Sequence, residues 1–419
     1  MIGHFLTSSN NIEKSSYIWN LAGSTLNAFQ SVIFLIFITR ETTLNDAGVF
    51  SIAYANSILL LNIGKYGMRN FQISDCNSQF SFKEYKTSRF ITASAMLFCS
   101  VIYTIVAANL NNYPLKKSII ILVMCIYKLI DAVEDIFHGF YQQNNRLDIA
   151  GKMMSLRMFL TIVCFGVSII ITKSLLLSLI ITTTVSGLLC TLFIISVNGT
   201  FNNPDSFETK NLKKLLKICF PLFLSMFLSF FINNAPKYAI DITSSDELQA
   251  CYGFIFMPVF VIELLNGFIF NPILYKLSLQ WKNSKYKNFA KLLIRQTIYV
   301  MLITLICEAA AYIAGIPVLS FIYSEDLSPY KKDLLVLLLG GGCLALAGLL
   351  VTALTIMRKQ KSILVIYTIT SIFALLFSKK IISLYSLNGA SFLYLSLMFL
   401  LVLLSSVYTI IYICKASKN

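Results

Sequence analysis

Twelve apolar stretches of bilayer-spanning length run through the chain, separated only by short polar connections. Their approximate limits are residues 17–39, 47–64, 90–108, 116–138, 153–172, 174–196, 215–235, 250–273, 292–314, 334–356, 362–378 and 390–413. A helix needs about 20 mostly apolar residues to cross the hydrocarbon core, and only helices or closed barrels satisfy their own backbone there. The stretches are continuous rather than alternating, which predicts helices and excludes a barrel. The expected class is an all-α polytopic membrane protein with twelve transmembrane helices. Six spans precede the polar stretch 198–208 and six follow it, and in each half the second and fourth spans lead into basic connections. Internal repeats of this kind are common in secondary transporters, with the substrate path at the repeat interface. The expected lobes are residues 1–200, holding spans one to six, and 201–419, holding spans seven to twelve.

Composition agrees. The 419 residues are 57% hydrophobic and 13% charged, whereas roughly a quarter of a soluble protein is charged. A net charge of +15 would point to nucleic acid only on a soluble basic face. Here Lys and Arg sit in short loops, in excess on alternate ones, which places both termini in the cytoplasm. The N-terminus is polar as far as Ser16 and leads into a span too long for a signal-peptide core, so no cleavage is expected. Ten cysteines are scattered without a CxxC pair and read as reduced packing residues. The longest connections, around 65–89 and 274–291, are basic and carry aromatics such as Phe80, Phe82, Tyr85 and Trp281. They read as interfacial segments anchored by aromatics and anionic lipid.

The polar exceptions inside the spans carry the candidate chemistry. In span one, Asn20, Ser24, Asn27 and Ser31 follow one helical face, with Gln30 beside it. Such a stripe faces either packed protein or a water-filled cavity. In span four, Lys128, Asp131, Asp135 and His138 share a face, with Glu134 at its edge. A charge at the bilayer centre costs about 2.5–3.5 kcal/mol on insertion scales. This face should therefore point into the bundle or toward water, or pair along its own helix close to the cytoplasmic end. Glu263 in span eight and Glu308 in span nine are isolated carboxylates that read as proton or cation sites, or as partners of Lys or Arg. Pro221 and Pro258 lie inside spans seven and eight, where a kink borders a cavity or a gate, while Pro236 and Pro272 read as helix terminators. Gly340, Gly341 and Gly342 read as close helix packing. With His4 and His138 the only histidines, no histidine-based metal site is expected, and no GxxxxGK[ST] loop is present. No cofactor is expected, and active transport would draw on an ion gradient, H+ or Na+, or on the membrane potential.

At the connections the chain resembles bacterial O-antigen and capsular repeat-unit flippases, the Wzx-like polysaccharide transporters of the MATE/MOP superfamily that also contains the lipid II flippase. The stretches that carry the resemblance are 67–75 (GMRNFQISD), 139–150 (GFYQQNNRLDIA), 233–238 (NNAPKY), 357–361 (MRKQK) and 388–390 (NGA). The resemblance implies two six-helix lobes around a central cavity that opens alternately to either side of a bacterial cytoplasmic (inner) membrane. Its implied cargo is an undecaprenyl-diphosphate-linked oligosaccharide, with a polysaccharide polymerase and a chain-length regulator as further partners. A diphosphate needs cations where water is scarce, and Lys128, Lys237, Lys65, Arg69 and Arg157 are the candidates. Asn20, Asn27 and Gln30 are candidate sugar contacts. Asp131, Asp135, Glu263 and Glu308 are the candidates for ion coupling. No catalytic residue is expected. The alternatives are a MATE-like drug or metabolite antiporter, or a membrane polysaccharide polymerase, which would be expected to carry a sizeable external loop.

Overall fold

The computed structural model describes residues 2–75, 79–197, 201, 207–270 and 273–418, and among them there are helices and no strands. A short α1 (Ile2–Thr7) precedes α2 (Ile12–Glu41), α3 (Leu44–Lys65), α4 (Met68–Ser74), α5 (Phe82–Asn111), α6 (Leu115–Gln143), α7 (Leu147–Thr172) and α8 (Leu175–Val197). Then follow α9 (Thr209–Thr243), α10 (Asp246–Phe270), α11 (Leu274–Lys282) and α12 (Tyr286–Ala310), which runs through a π-helical turn at Ala311–Gly315 into α13 (Ile316–Tyr323). The chain closes with α14 (Lys331–Ile356) and α15 (Gln360–Lys418).

Ten stretches of helix among the described residues are long and apolar enough to cross a membrane. One of them, in α15, holds two spans, because the helix breaks at Ser386 (φ 51°, ψ −133°). The 29-residue α6 stands outside the ten because of the charges it carries. Counting α6 and both halves of α15 gives the twelve spans expected from the sequence, in an all-helical, multi-pass membrane fold.

The chain packs as two compact units, Met1–Phe227 and Leu228–Asn419. The division falls inside α9 and not in the stretch 198–208, most of which lies outside the described residues. The opening turns of α9 belong to the first unit. Leu215 and Cys219 share a core cluster with Met68, Tyr85 and Ile136, and Tyr66 stacks on Phe223 at 4.7 Å. Glu84 accepts from the Glu208 backbone N–H at 3.0 Å and from the Asn211 amide at 2.8 Å. With 35 residues, α9 is about 52 Å long, well beyond the roughly 30 Å of hydrocarbon. Pro236, expected to end its helix, lies inside α9, which continues to Thr243, while Pro258 is interior to α10 as expected. Pro272 lies outside the described residues.

In the first unit α3 packs against α5 and α6, and α2 lies along α7. That last contact is close because Gly151 has no side chain: a Cβ there would stand 2.7 Å from the Asn20 backbone nitrogen. In the second unit α14 packs against α10, α12 and α15. A Cβ on Gly340 would meet the Tyr394 ring at 2.5 Å and one on Gly342 would meet Thr304 at 2.6 Å, the close helix packing that the glycine run predicts.

Candidate functional site

Local sequence decides how α5 supplies the site. Ser81 and Glu84 form a reciprocal capping box, which satisfies two backbone donors and starts the helix at Phe82. Arg89, read from hydropathy as a loop residue at the edge of span three, is thereby carried inside the bundle and fully buried. There it donates to Asp135 at 2.9 Å and to the Gly64 carbonyl.

The charged face of α6 points into the first unit. Lys128, only 1% exposed, donates to Asp131 at 3.0 Å and to the Gln30 side-chain oxygen at 2.9 Å, and its ammonium sits 5.0 Å from the Tyr54 ring centre. Gln30 in turn donates to the Tyr127 hydroxyl. Arg157 of α7, also 1% exposed, reaches Asp131 at 2.7 Å, Glu134 at 2.6 Å and the Ser186 hydroxyl of α8 at 2.9 Å. His138 lies 3.6 Å from Glu134. Lys128 and Arg157 thus balance Asp131 and Glu134, so this quartet is neutral and sealed. The pairing runs both along α6 and across to α2, α7 and α8.

One turn further along α6 the balance changes. Asp135 is shared by three cations: Arg89, Lys65 at 3.8 Å and Arg69 at 3.6 Å. The Lys65 and Arg69 side chains remain 34% and 26% exposed. They line an open pocket of about 330 Å³ with Asn70, Asp135 and Gln142, whose side-chain oxygen accepts from Arg69 at 3.1 Å. The reversal that shapes this corner uses Tyr66 (φ 50°) and Gly67 (φ 65°) in left-handed conformation between α3 and α4, where glycine is favoured. Burial pushes the Tyr66 phenol above its ordinary range. One carboxylate facing three cations leaves the pocket with a positive excess. Its chemistry is that of an anion site.

The remaining candidates are dispersed. On α2, Asn27 and Ser24 are exposed, Asn20 is half-buried, and Gln30, beside the predicted stripe, makes the buried contacts. In the second unit Lys237 is 7% exposed, with its ammonium 5.1 Å from the Phe256 ring centre and no ion pair among the described residues. Asn233, one turn earlier on α9, has a buried side-chain oxygen without a hydrogen bond. Glu263 is exposed on α10, and Glu308 is half-buried on α12, one turn before the π-helical segment, with one oxygen buried and unbonded. No group of three metal-ligating side chains occurs among the described residues.

No protein-family model and no curated protein matches the sequence. Solved structures do match its fold. A multidrug resistance MATE family transporter of the MOP superfamily, in an inward-facing conformation, superposes with a TM-score of 0.73 at 12% identity, over 94% of this chain and 96% of that one. The lipid II flippase MurJ, in an inward closed conformation, gives 0.72 at 16% identity, over 95% and 90%. A MOP superfamily transporter from Pyrococcus furiosus gives 0.55 at 14% identity, over 100% and 99%. The chain has the fold of these transporters along essentially its whole length.

Proposed function

We propose that this protein translocates an undecaprenyl-diphosphate-linked oligosaccharide repeat unit of an O-antigen or capsule across the bacterial cytoplasmic membrane by alternating access. Both termini are then cytoplasmic, as the charge bias of the loops requires. The observation that carries the reading is the convergence of Lys65, Arg69 and Arg89 on the single carboxylate of Asp135, at the edge of an open pocket. A diphosphate supplies the missing negative charge, and Arg69 offers a planar fork suited to phosphate oxygens. Asn70 and Gln142 add neutral hydrogen-bonding groups beside it. Lys237, buried, and Asn233, whose side-chain oxygen is buried, are a further cation and amide in the second unit.

The likeness to a MATE drug transporter is as close as that to the lipid II flippase, so export of soluble amphiphiles is the second reading. The sign of the pocket favours an anionic cargo over a cationic drug. Lys128 and Arg157 then act by holding α2, α6, α7 and α8 together, since both are enclosed and paired. Asp131 and Asp135 are likewise occupied by cations, which leaves Glu263 and Glu308 as the carboxylates free to couple H+ or Na+ to transport. A polysaccharide polymerase and a chain-length regulator are the partners that such a cargo entails. The test is genetic: deletion should cause lipid-linked repeat units to accumulate on the cytoplasmic leaflet with loss of surface polysaccharide. Unchanged surface polysaccharide with no accumulation would refute the assignment.

A further inference from the structure

The sequence reads both long basic connections as lipid-anchored, but their structures differ. In the first unit the aromatics of the connection turn inward: Phe80 and Tyr85 are buried, and Phe82 stacks on Phe140 at 4.1 Å between ring centres. Of its cations, Lys65, Arg69 and Arg89 face Asp135, while Lys83 and Lys86 are exposed. The connection in the second unit is built the other way round. Leu277 of α11 is fully buried, while Tyr275 (77% exposed), Leu279, Lys276 and Lys282 lie outward. Trp281 braces the elbow, its ring 5.0 Å from Tyr286 and 5.1 Å from Phe289.

Charge completes the contrast. From Glu263 to Glu308 the sequence contains no acidic residue, yet it contains Lys276, Lys282, Lys285, Lys287, Lys291 and Arg295. All six are exposed, and none forms an ion pair among the described residues. Lys287, Lys291 and Arg295 recur at four-residue steps and so form one stripe along α12. An outward aromatic and leucine flanked by unpaired lysines is the chemistry of a helix lying in a charged lipid interface.

We infer that the α11–α12 elbow is a binding surface for anionic phospholipid headgroups, which tethers the second unit to the membrane surface independently of the cargo site. The lysines meet the lipid phosphates while Tyr275 and Leu279 enter the boundary below them. The inference does not depend on the identity of the cargo.

The chain has two tryptophans, Trp19 and Trp281, so Trp19→Phe leaves Trp281 as the sole tryptophan of the full-length protein, excited selectively over its tyrosines at the red edge of the absorption band. Reconstituted at equal mole fractions of brominated phosphatidylglycerol or brominated phosphatidylcholine, Trp281 should be quenched roughly twofold or more by the anionic lipid. The excess should fall in about 1 M salt, where the Debye length is about 3 Å. Equal quenching by the two lipids would overturn the inference. So would a Lys276→Gln, Lys282→Gln, Lys285→Gln variant that inserts normally and keeps the full preference. The comparison in the Trp19→Phe protein decides the matter if that triple variant fails to insert.

Discussion

Arg157 of α7 grips two carboxylates of α6 at once, Asp131 at 2.7 Å and Glu134 at 2.6 Å, while its other terminal nitrogen holds Ser186 of α8. Three helices are tied by one guanidinium. Breaking a buried ion pair by removing one partner costs about 3–5 kcal/mol, because the charges left behind stay desolvated. Arg157→Ala should therefore lower the thermal unfolding temperature of the purified protein and its abundance in the membrane. Arg157→Lys should recover only part, since an ammonium has no fork to reach both acids. A fully stable Arg157→Ala protein would contradict this role.

Lys65 and Arg69 are predicted to behave differently. They are partly exposed, and Lys65→Gln or Arg69→Gln should leave abundance unchanged while weakening binding of a lipid-linked diphosphate. A charged hydrogen bond is worth about 1.5–3 kcal/mol, so roughly a tenfold to hundredfold loss of affinity is expected for each, read by titration of the purified protein.

Asp135→Asn removes the one acid among the described residues that line the pocket. Arg89 is left buried without its ion pair, so stability should fall, but the positive excess at Lys65 and Arg69 grows. Diphosphate affinity should rise relative to the parent protein under conditions where both are folded. A loss of affinity in the folded variant would show that Asp135, and not the cations, organises the site.

The break in α15 gives a separate prediction. Ser386 sits at φ 51°, ψ −133°, a region that favours glycine. With the Asn388 amide turned so that its nitrogen faces α14, it donates to the two Asp333 oxygens at 2.9 and 3.0 Å. Ser386→Gly should stabilise the protein by about 1 kcal/mol, and Asp333→Ala should destabilise it by about 1–3 kcal/mol. Chemical or thermal unfolding of the two variants reads both signs.

Much of this was legible in the sequence, and the limits have physical causes. The spans were visible because the bilayer demands some 20 apolar residues whatever a helix packs against. The inward direction of the α6 face followed from the cost of exposing charge to lipid. Its partners did not, since Arg89 and Arg157 are contributed by other helices and hydropathy places Arg89 outside its span. The Ser81–Glu84 capping signature was the available clue that α5 starts early enough to bury Arg89. The division of the chain inside α9 was hidden for another reason. Hydropathy marks the loop before a helix, whereas packing of Leu215 and Cys219 decides to which unit its first turns belong.

The central claim is that the excess charge at Lys65 and Arg69 receives the diphosphate of a lipid-linked oligosaccharide. The most direct measurement is translocation of a fluorescent polyprenyl-diphosphate oligosaccharide in proteoliposomes containing the purified protein, followed by protection from a membrane-impermeant quencher. Translocation by the unaltered protein, and its loss in a Lys65→Gln, Arg69→Gln variant reconstituted to the same density, is the predicted result. Equal translocation by both proteins, or none by the unaltered protein under an imposed H+ or Na+ gradient, would contradict it.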